Sequence, residues 1–420
     1  MKIRWSTHLL QSCLGSKFAS SRQLMAVFRL TIPLVVFFIG AICLSQFSQQ
    51  VQHLGRSDWS DPFVLPNSSK TYRRNTSFVA YGDDSKELPL CNREQVKYGH
   101  WSPVTLDKPP YIPSDDFGQR SACYDDSMFL YNSTNGFPSY DWHPSDKSCS
   151  FVPWNRNRFC EVVSNRTIAF VGDSISYESF TSLVGLLGGQ ITSRPYQNRK
   201  GPIVWKAPCG ATIAFKKTHS LDDSHLEQIF RRTPPDILII NRGAHYVEDE
   251  QLRSEFYATL NTVSKWQTEC QRRSHDCRFI FRTSPPGHSG CGENFTKPFE
   301  SLEEMEAHVS NPLTETERER GFHWDEFGNQ NELMLDLIRK HLSDLGRISS
   351  YSVMDAYHTL GLRIDLHRAA VNNDCLHSCY PGKMDFMNQL LLHTLLAPPH
   401  FVLAAEQPNV TSTPKEKNYV

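Results

Sequence analysis

The chain has 420 residues, a length that suits one large domain or two rather than a single small one. Hydrophobic residues make up 39% and charged residues 21%, so the chain can bury a large core, and intrinsic disorder over the whole length is excluded. The formal net charge is −1, and this lack of a basic excess argues against a nucleic-acid-binding protein. The aromatic share of 11% fits a large core and equally fits stacking on sugar rings.

An uncharged apolar run from Leu30 to Phe47 predicts a membrane span near the N-terminus. Five basic residues and no acidic residue precede it, namely Lys2, Arg4, Lys17, Arg22 and Arg29. This asymmetry predicts a cytosolic tail at residues 1–29, an uncleaved signal anchor at 30–47 and a translocated remainder, the topology of a single-pass type II membrane protein. A cleaved signal peptide is the alternative, although its basic region would be unusually long and no clean cleavage site follows the run.

The sequence beyond the predicted span has the features of a secreted or luminal protein. Six sequons for N-glycosylation all lie on this side, at Asn67, Asn75, Asn132, Asn165, Asn294 and Asn409. Residues 48–88 are polar, contain two of these sequons and have no helical or strand period. We therefore expect a solvated stem over this segment.

Ten of the cysteines follow the predicted span, an even number that predicts disulfides in an oxidising compartment. They are Cys91, Cys123, Cys149, Cys160, Cys209, Cys270, Cys277, Cys291, Cys375 and Cys379. The pair Cys375 and Cys379, with His377 between them, would also suit zinc, but no second closely spaced pair accompanies it, so no metal is predicted. Residues 89–160 are aromatic, rich in cysteine and not periodic, which predicts a disulfide-tied collar of loops.

Short apolar runs at residues 167–171, 237–240, 279–281 and 351–354 predict buried strands. Apolar residues at three- and four-residue steps predict helices from about Leu183, over Leu252–Trp266, over Leu335–Leu345 and over Met384–Leu395. Strands that alternate with helices are typical of a mainly parallel sheet covered on both faces. The sequence therefore predicts an α/β domain over residues 89–400, followed by a flexible tail at 401–420.

The first polar motif, Gly172-Asp173-Ser174, lies where a predicted strand turns into a helix. Active groups collect at the carboxyl ends of the strands in such sheets. The turn would lift the Ser174 hydroxyl clear of the sheet, and the helix N-terminus would supply free N–H groups and a partial positive charge. Serine is also a preferred N-cap residue, so a purely structural serine is the alternative.

Two further motifs follow predicted strands or lie in a predicted loop. Asn241, after the strand at 237–240, can donate a hydrogen bond to an oxyanion, although an asparagine before a glycine also suits a simple turn. Asp374 and His377, three residues apart in a short loop, can place a carboxylate on one imidazole nitrogen and leave the other to accept a proton from a serine. Disulfides at Cys375 and Cys379 would limit the movement of this pair.

Together these motifs resemble the trichome-birefringence-like proteins, also called the PC-esterase group, a branch of the SGNH/GDSL-like hydrolases. The resemblance runs from Cys91 to Leu396 and rests on the blocks Gly172–Ser174, Asn241–Gly243, Phe281–His288 and Asp374–Asp385, and on the aromatic element Tyr140–Pro144. It implies a three-layer sandwich around a central, mainly parallel sheet, with the cysteine-rich collar in front. It also implies a Golgi type II membrane protein that transfers O-acetyl groups to glycans.

The resemblance gives each motif residue a role. Ser174 would be the nucleophile, His377 the base, Asp374 the carboxylate that orients it, and Asn241 an oxyanion donor together with the backbone of Ser174. Asp173, Tyr177, His245 and His288 would be candidate substrate-contacting residues. The family's disulfides imply the pairs Cys91–Cys149, Cys123–Cys379 and Cys291–Cys375. Proximity suggests Cys270–Cys277, and Cys160–Cys209 is the pair that remains.

The sequence departs from the plant pattern at several positions, so it is a divergent member whose acceptor cannot be taken from plants. Tyr177 replaces an arginine, Gly185 replaces a cysteine and Ser378 replaces a tryptophan, while His245 lies one place later than the corresponding histidine.

These observations leave three functions open. The first is glycan O-acetyl transfer through a serine acyl-enzyme, with acetyl-CoA or another acetyl carrier as the donor substrate and no bound cofactor. The second is removal of acetyl groups by the same residues, and the third is non-catalytic glycan binding. No glycine-rich phosphate loop of the Walker or Rossmann type is evident. A glycan acceptor and the membrane are the expected partners, and the oligomeric state is open.

Overall fold

The computed structural model describes residues 88–111, 137–189, 202–218, 223–241, 245–273, 276–291, 295, 297–319, 323–343, 348, 350–368, 374–399 and 401–402. The predicted cytosolic tail, anchor and nearly all of the stem lie outside these residues. So do Cys123, the tail beyond residue 402, and the sequons at Asn67, Asn75, Asn132, Asn294 and Asn409. The sixth sequon residue, Asn165, is exposed.

A mainly parallel sheet is the centre of the part of the chain that the structure describes. Its seven strands are β3 (Thr167–Gly172), β4 (Ile203–Lys206), β5 (Thr212–Lys217), β6 (Ile237–Ile240), β7 (Arg278–Arg282), β8 (Ser350–Met354) and β11 (Phe401–Val402). They lie in the order β11-β8-β7-β6-β3-β5-β4. Neighbouring strands are parallel from β8 to β5, whereas the edge strands β4 and β11 are antiparallel.

Helices cover both faces of this sheet, which confirms the predicted three-layer α/β architecture. Successive strand residues point to opposite faces, so Ile168 and Phe170 join one buried cluster while Ala169 and Val171 join another. The helices are α1 (Arg93–Lys97), α2 (Arg156–Val163), α3 (Ser174–Leu186), α4 (Asp223–Arg232), α5 (Asp249–Arg272), α6 (Leu302–Val309), α7 (Glu315–Glu319), α8 (Phe327–Ser343), α9 (Ala356–Leu360) and α10 (Lys383–Leu396). The first cluster contains residues of α3 and α10, and the second contains residues of α4, α5 and α8.

The collar is more regular than the predicted set of loops. Strands β1 (Gly99–Leu106) and β2 (Phe137–Pro144) form an eight-residue antiparallel ladder. Trp101 and Trp142 face each other across the ladder, are buried, and pack against Phe386 of α10. Polar and proline residues interrupt the alternation of both strands, and for this reason the sequence pattern did not predict them.

The predicted flexible tail is wrong for its first two residues. Phe401 and Val402 form β11, which pairs with Tyr351 and Ser350 of β8 at the edge of the sheet.

Four of the five predicted disulfides have both cysteines among the described residues, and all four are present. They are Cys91–Cys149, Cys160–Cys209, Cys270–Cys277 and Cys291–Cys375. Cys379 is disulfide-bonded as well. Its predicted partner, Cys123, is outside the described residues.

Candidate active site

Ser174 is the first residue of α3, at the carboxyl end of β3. The turn into the helix needs Gly172, because a Cβ there would lie 2.3 Å from the Ser176 Oγ and 2.8 Å from the Asn241 carbonyl oxygen. The Asp173 carboxylate caps the helix by accepting the backbone N–H groups of Ile175 and Ser176. Ser174 is half-buried in otherwise buried surroundings, so the local sequence presents its hydroxyl at the surface of the sheet edge.

The structure brings the three predicted catalytic side chains together. The His377 Nε2 lies 2.7 Å from the Ser174 Oγ, and the His377 Nδ1 lies 3.0 Å from each carboxylate oxygen of Asp374. The imidazole is thus between a hydroxyl that can give up a proton and a carboxylate that can stabilise the resulting positive charge. Side chains of His377 and Asp374 are 25% and 21% exposed, so a substrate can reach this site.

The predicted loop that carries Asp374 and His377 is instead a short strand, β10 (Asp374–Ser378), paired with β9 (His367–Arg368). The register shifts between Asp374 and Ser378. Because the chain bulges there, Asp374 also accepts the backbone N–H of His377 at 3.0 Å, and residues three apart come together.

Neighbouring charges set the protonation of this pair. Burial alone would raise the pKa of Asp374, but the hydrogen bond and charge of His377, together with Arg368, lower that pKa well below its usual range. The Arg368 Nη2 donates to the Asp374 carboxylate at 2.6 Å. Burial alone would lower the pKa of His377, but the carboxylates of Glu178 and Asp374 raise that pKa overall. The arrangement therefore holds an ionised Asp374 beside a histidine of increased basicity.

Strand β10 is attached to the rest of the domain on both sides. The Cys291–Cys375 disulfide and a hydrogen bond from the His288 backbone N–H to the Cys375 carbonyl link it to the loop after β7. On the other side, the backbone N–H of Ser378 donates to the Glu178 carboxylate of α3. These contacts fix β10 relative to the helix that begins at Ser174.

Asn241 lies at the end of β6 as predicted, but its amide is engaged by the protein. The side chain is fully buried and its Nδ2 donates to the Arg282 carbonyl and to the Ser284 Oγ, both at 2.9 Å. Both amide hydrogens are thereby used, so the oxyanion role of Asn241 stays a prediction. The backbone N–H of Ser174 is the other predicted donor, and as an N-terminal amide of α3 it has no acceptor within the helix.

Three of the four predicted substrate-contacting residues are buried, so the structure does not place their side chains where a substrate could reach them. Asp173 is the helix cap, Tyr177 packs in an aromatic cluster with Phe180 and Phe215, and His288 is in the interior behind β10. Burial raises the pKa of Tyr177 to about 12, which keeps its hydroxyl neutral. His245 is exposed, and residues 242–244, which join it to Asn241, are outside the described residues.

Two residues close to the triad of Ser174, His377 and Asp374 have no role predicted from the sequence. Glu178 and Arg368 contact β10 from α3 and from β9. Glu178 had a local signal, because it lies four residues after Ser174 in a predicted helix and such residues share a face. Arg368 had none, since only the pairing of β9 with β10 brings it to Asp374.

Within the described ranges, no group of three or more histidine, cysteine or acidic side chains is arranged to hold a metal ion. No helix in those ranges is both long enough and apolar enough to cross a membrane.

Comparison with known proteins confirms the resemblance found in the motifs. Residues 231–394 match the family described as "PC-Esterase: GDSL/SGNH-like Acyl-Esterase family found in Pmr5 and Cas1p". This region contains Asn241, Asp374 and His377, whereas Ser174 precedes it.

Similar curated proteins include trichome birefringence-like 15 and trichome birefringence-like 25 of Arabidopsis thaliana, each 23% identical to this chain. The first alignment covers 62% of this chain and 62% of that relative, and the second covers 91% and 95%. Similar solved structures include a putative GDSL-like lipase from Parabacteroides merdae, with a TM-score of 0.32 and 12% identity over 55% of this chain and 96% of that one. A GDSL-like lipase from Bacteroides thetaiotaomicron has a TM-score of 0.30 and 10% identity over 57% and 97%.

Proposed function

We propose that the protein is a Golgi glycan O-acetyltransferase that works through an acetyl-serine intermediate on Ser174. The observation that supports this proposal most directly is the pair of contacts made by His377, at 2.7 Å to the Ser174 Oγ and 3.0 Å to Asp374. A serine with only a structural role, or one in a glycan-binding protein, would not need a histidine beside its hydroxyl and a carboxylate beside that histidine. The similarity to the PC-esterase family over residues 231–394 supports acyl chemistry at a site that includes Asp374 and His377.

In the first half of the proposed reaction, Ser174 takes the acetyl group. The His377 Nε2 accepts the hydroxyl proton while the Ser174 Oγ attacks the carbonyl carbon of the acetyl donor, acetyl-CoA or another acetyl carrier. Asp374 stabilises the imidazolium that forms. N–H groups at the start of α3 stabilise the oxyanion of the tetrahedral intermediate. His377 then returns its proton to the leaving group as the carbonyl re-forms, which leaves acetyl-Ser174.

In the second half, the acetyl group moves to a sugar. His377 removes the proton of a sugar hydroxyl, the hydroxyl oxygen attacks the acetyl carbonyl, and the collapse of the tetrahedral intermediate returns that proton to the Ser174 Oγ. The triad is restored and an O-acetylated glycan leaves. The predicted type II topology and luminal sequons support a Golgi location for this reaction, with the catalytic domain in the lumen.

An O-acetyl esterase is the second candidate, because the matching family is described as one of acyl-esterases. Its mechanism uses the same residues with water in place of the sugar hydroxyl. Exclusion of water by a bound acceptor is what separates the two outcomes.

The test uses the full chain and its Ser174→Ala variant. Each is incubated with acetyl-CoA or an activated acetyl ester and a panel of polysaccharides, and with acetylated polysaccharides alone. Acetyl groups that appear on a polysaccharide with wild-type protein and not with the variant support the transferase. Acetate release from an acetylated polysaccharide, without any transfer, supports the esterase. Equal activity of both proteins would contradict both.

A further inference from the structure

The peptide bond between His377 and Ser378 is held from both sides by buried ionisable side chains. Its N–H donates to the Glu178 carboxylate, at 3.3 and 3.4 Å from the two oxygens. Its carbonyl oxygen lies 3.2 Å from the Nδ1 of His367. Both contacts act on the backbone that carries the catalytic imidazole, so they bear on its position without touching a substrate.

Glu178 is a residue whose location needs an explanation. Its side chain is 3% exposed, and a carboxylate in such surroundings costs free energy unless it is paired. Burial raises the pKa of Glu178 to about 7, although the positive charges of His377 and Arg368 oppose that rise. Because it lies one helical turn after Ser174, Glu178 faces the same side of α3, and its carboxylate contacts the residue that follows His377.

The charges around Glu178 come from each element that packs against it. Asp374 and His377 belong to β10, Arg368 to β9, Arg282 to β7 and Lys383 to α10, and Tyr380 precedes α10. Asp374 opposes ionisation of Glu178, whereas His377 and Arg368 favour it. The carboxylates of Glu178 and Asp374 both raise the pKa of His377. The protonation of this histidine therefore responds to Glu178 as well as to Asp374.

The carbonyl side of the peptide has its own buried group. The Nε2 of His367 lies 2.6 Å from the Nδ1 of His288, whose Nε2 lies 2.7 Å from the Gly361 carbonyl oxygen. Carbonyl oxygens only accept, so the three contacts of the two rings need three hydrogens, one more than two neutral imidazoles carry. Burial and the charge of Lys383 hold the pKa values of both histidines well below the ordinary value, so the rings are neutral and two of the three contacts are hydrogen bonds. The Lys383 Nζ, 3.5 Å from the His367 Nε2, favours the tautomer of His367 that carries its hydrogen on Nδ1, facing the His377 carbonyl. Burial lowers the pKa of Lys383 to about 7, although the charges of Glu178 and Asp365 oppose that fall.

We propose that Glu178 is a positioning residue for the catalytic histidine. Its carboxylate accepts the Ser378 N–H on one side of the peptide bond, while His367 contacts the His377 carbonyl oxygen on the other side. Its negative charge favours the imidazolium that forms on His377 during acyl transfer. The inference rests on the proposed function, and it adds a second carboxylate, on α3, to the Asp374 that touches the ring directly.

The experiment compares wild-type full chain with Glu178→Gln and Glu178→Met, using kcat and KM for p-nitrophenyl acetate over the pH range in which histidine titrates. Glu178→Gln keeps an oxygen for the Ser378 N–H but removes the charge. Its acid limb in kcat/KM is expected to move to lower pH by about one unit, with KM little changed. Glu178→Met removes the acceptor too, and kcat is expected to fall by about 10², the scale of a small misplacement of a catalytic group.

Glu269→Gln on the exposed surface of α5 is the matched control for the loss of one carboxylate, and its pH profile should coincide with that of wild type. His367→Asn and His367→Gln test the carbonyl side. The asparagine amide can reach the position of Nδ1 and donate to the His377 carbonyl, whereas the glutamine amide extends toward the position of Nε2. His367→Asn should therefore retain the higher kcat of the two.

The outcomes separate the two proposals. An active wild type whose acid limb is unchanged in Glu178→Gln would overturn the positioning role and leave the proposed function intact. A wild type without esterase or transferase activity would overturn the proposed function and this inference with it. Thermal unfolding of each variant identifies any that does not fold, and if Glu178→Met is one of them, the pH profile of Glu178→Gln decides alone.

Discussion

The Ser174, Asp374 and His377 side chains are partly exposed, although the residues on both sides of Ser174 and of His377 are buried. A serine hydroxyl on its own is a weak nucleophile, and a base within hydrogen-bonding distance is what activates it. The 2.7 Å separation between the His377 Nε2 and the Ser174 Oγ meets that requirement before any substrate is bound. The chemistry proposed for the site therefore depends on the protonation state of one imidazole.

The pH dependence of activity follows from that imidazole. His377 must be neutral to accept the serine proton, and nearby carboxylates raise its pKa above the ordinary value of 6.5 although burial opposes the rise. Activity should therefore increase with pH through this raised pKa and be lost on acidification, with half-maximal kcat/KM above the pH typical of an exposed histidine. The measurement is kcat/KM for an activated acetyl ester against pH. A midpoint well below the ordinary histidine value would contradict the electrostatics described for the site.

At the same scale, the sequence motifs predict some of the site and not the rest. Ser174 could be predicted because a strand, a Gly-Asp-Ser turn and a helix are adjacent in sequence, and Asp374 and His377 because they are three residues apart. Arg368 reaches Asp374 only when β9 pairs with β10, a contact that no local pattern encodes. The substrate-contacting role predicted for Asp173, Tyr177 and His288 does not agree with their burial. A sequence motif predicts where the backbone turns, but it does not show which side chains the neighbouring elements bury.

Among the elements, β10 matters most, since it carries both the base and the carboxylate. The Cys291–Cys375 disulfide, with a sequence separation of 84, joins β10 to the loop after β7. Replacing both cysteines with alanine should lower the free energy of unfolding by about 4–5 kcal/mol on the chain-entropy account. It should also reduce kcat, because the Asp374–His377 pair loses one of its attachments.

The matched control removes the Cys270–Cys277 disulfide, which has a sequence separation of 7 and lies at the end of α5. Its loss should cost a smaller amount, about 2–3 kcal/mol, and leave kcat unchanged. Chemical denaturation and kinetics of both double variants provide the comparison. An equal loss of kcat in the two would mean that the Cys291–Cys375 bridge has no particular effect on the site.

The strands that the sequence predicted are β3, β6, β7 and β8. Continuous, buried apolar runs give a clear signal in β3, β6 and β7, whereas in β8 the apolar residues at 353 and 354 follow a serine. Strand β4 is short and alternates between half-buried and exposed residues, so it has no such run. Strand β5 has a buried run of three apolar residues, Ile213–Phe215, but two lysines follow it, and this strand was not predicted. The ladder of β1 and β2 depends on contacts of Trp101 and Trp142 with α10, far away in sequence. Burial against distant elements is the property that local patterns miss.

At the scale of the whole molecule, the charge asymmetry around residues 30–47 and the six sequons predict a catalytic domain in the lumen. Protease treatment of intact microsomes that contain the full chain should leave the segment from residue 91 to residue 400 protected, and detergent should make it accessible. Antibodies to this segment report both states. Digestion of the segment in intact microsomes would show that it faces the cytosol and would contradict the type II topology.

The central claim is that Ser174 carries the acetyl group between donor and acceptor. Full-length wild type and Ser174→Ala are mixed with an activated acetyl ester, quenched, and analysed by intact-mass spectrometry and peptide mapping. The variant should remain folded, because Asp173 and not Ser174 caps α3, and alanine is a good helix former. We predict one acetyl group on the peptide that contains Ser174 in wild type and none in Ser174→Ala. Full turnover by Ser174→Ala would contradict both the transferase and the esterase, and would leave Gly172-Asp173-Ser174 as a structural turn.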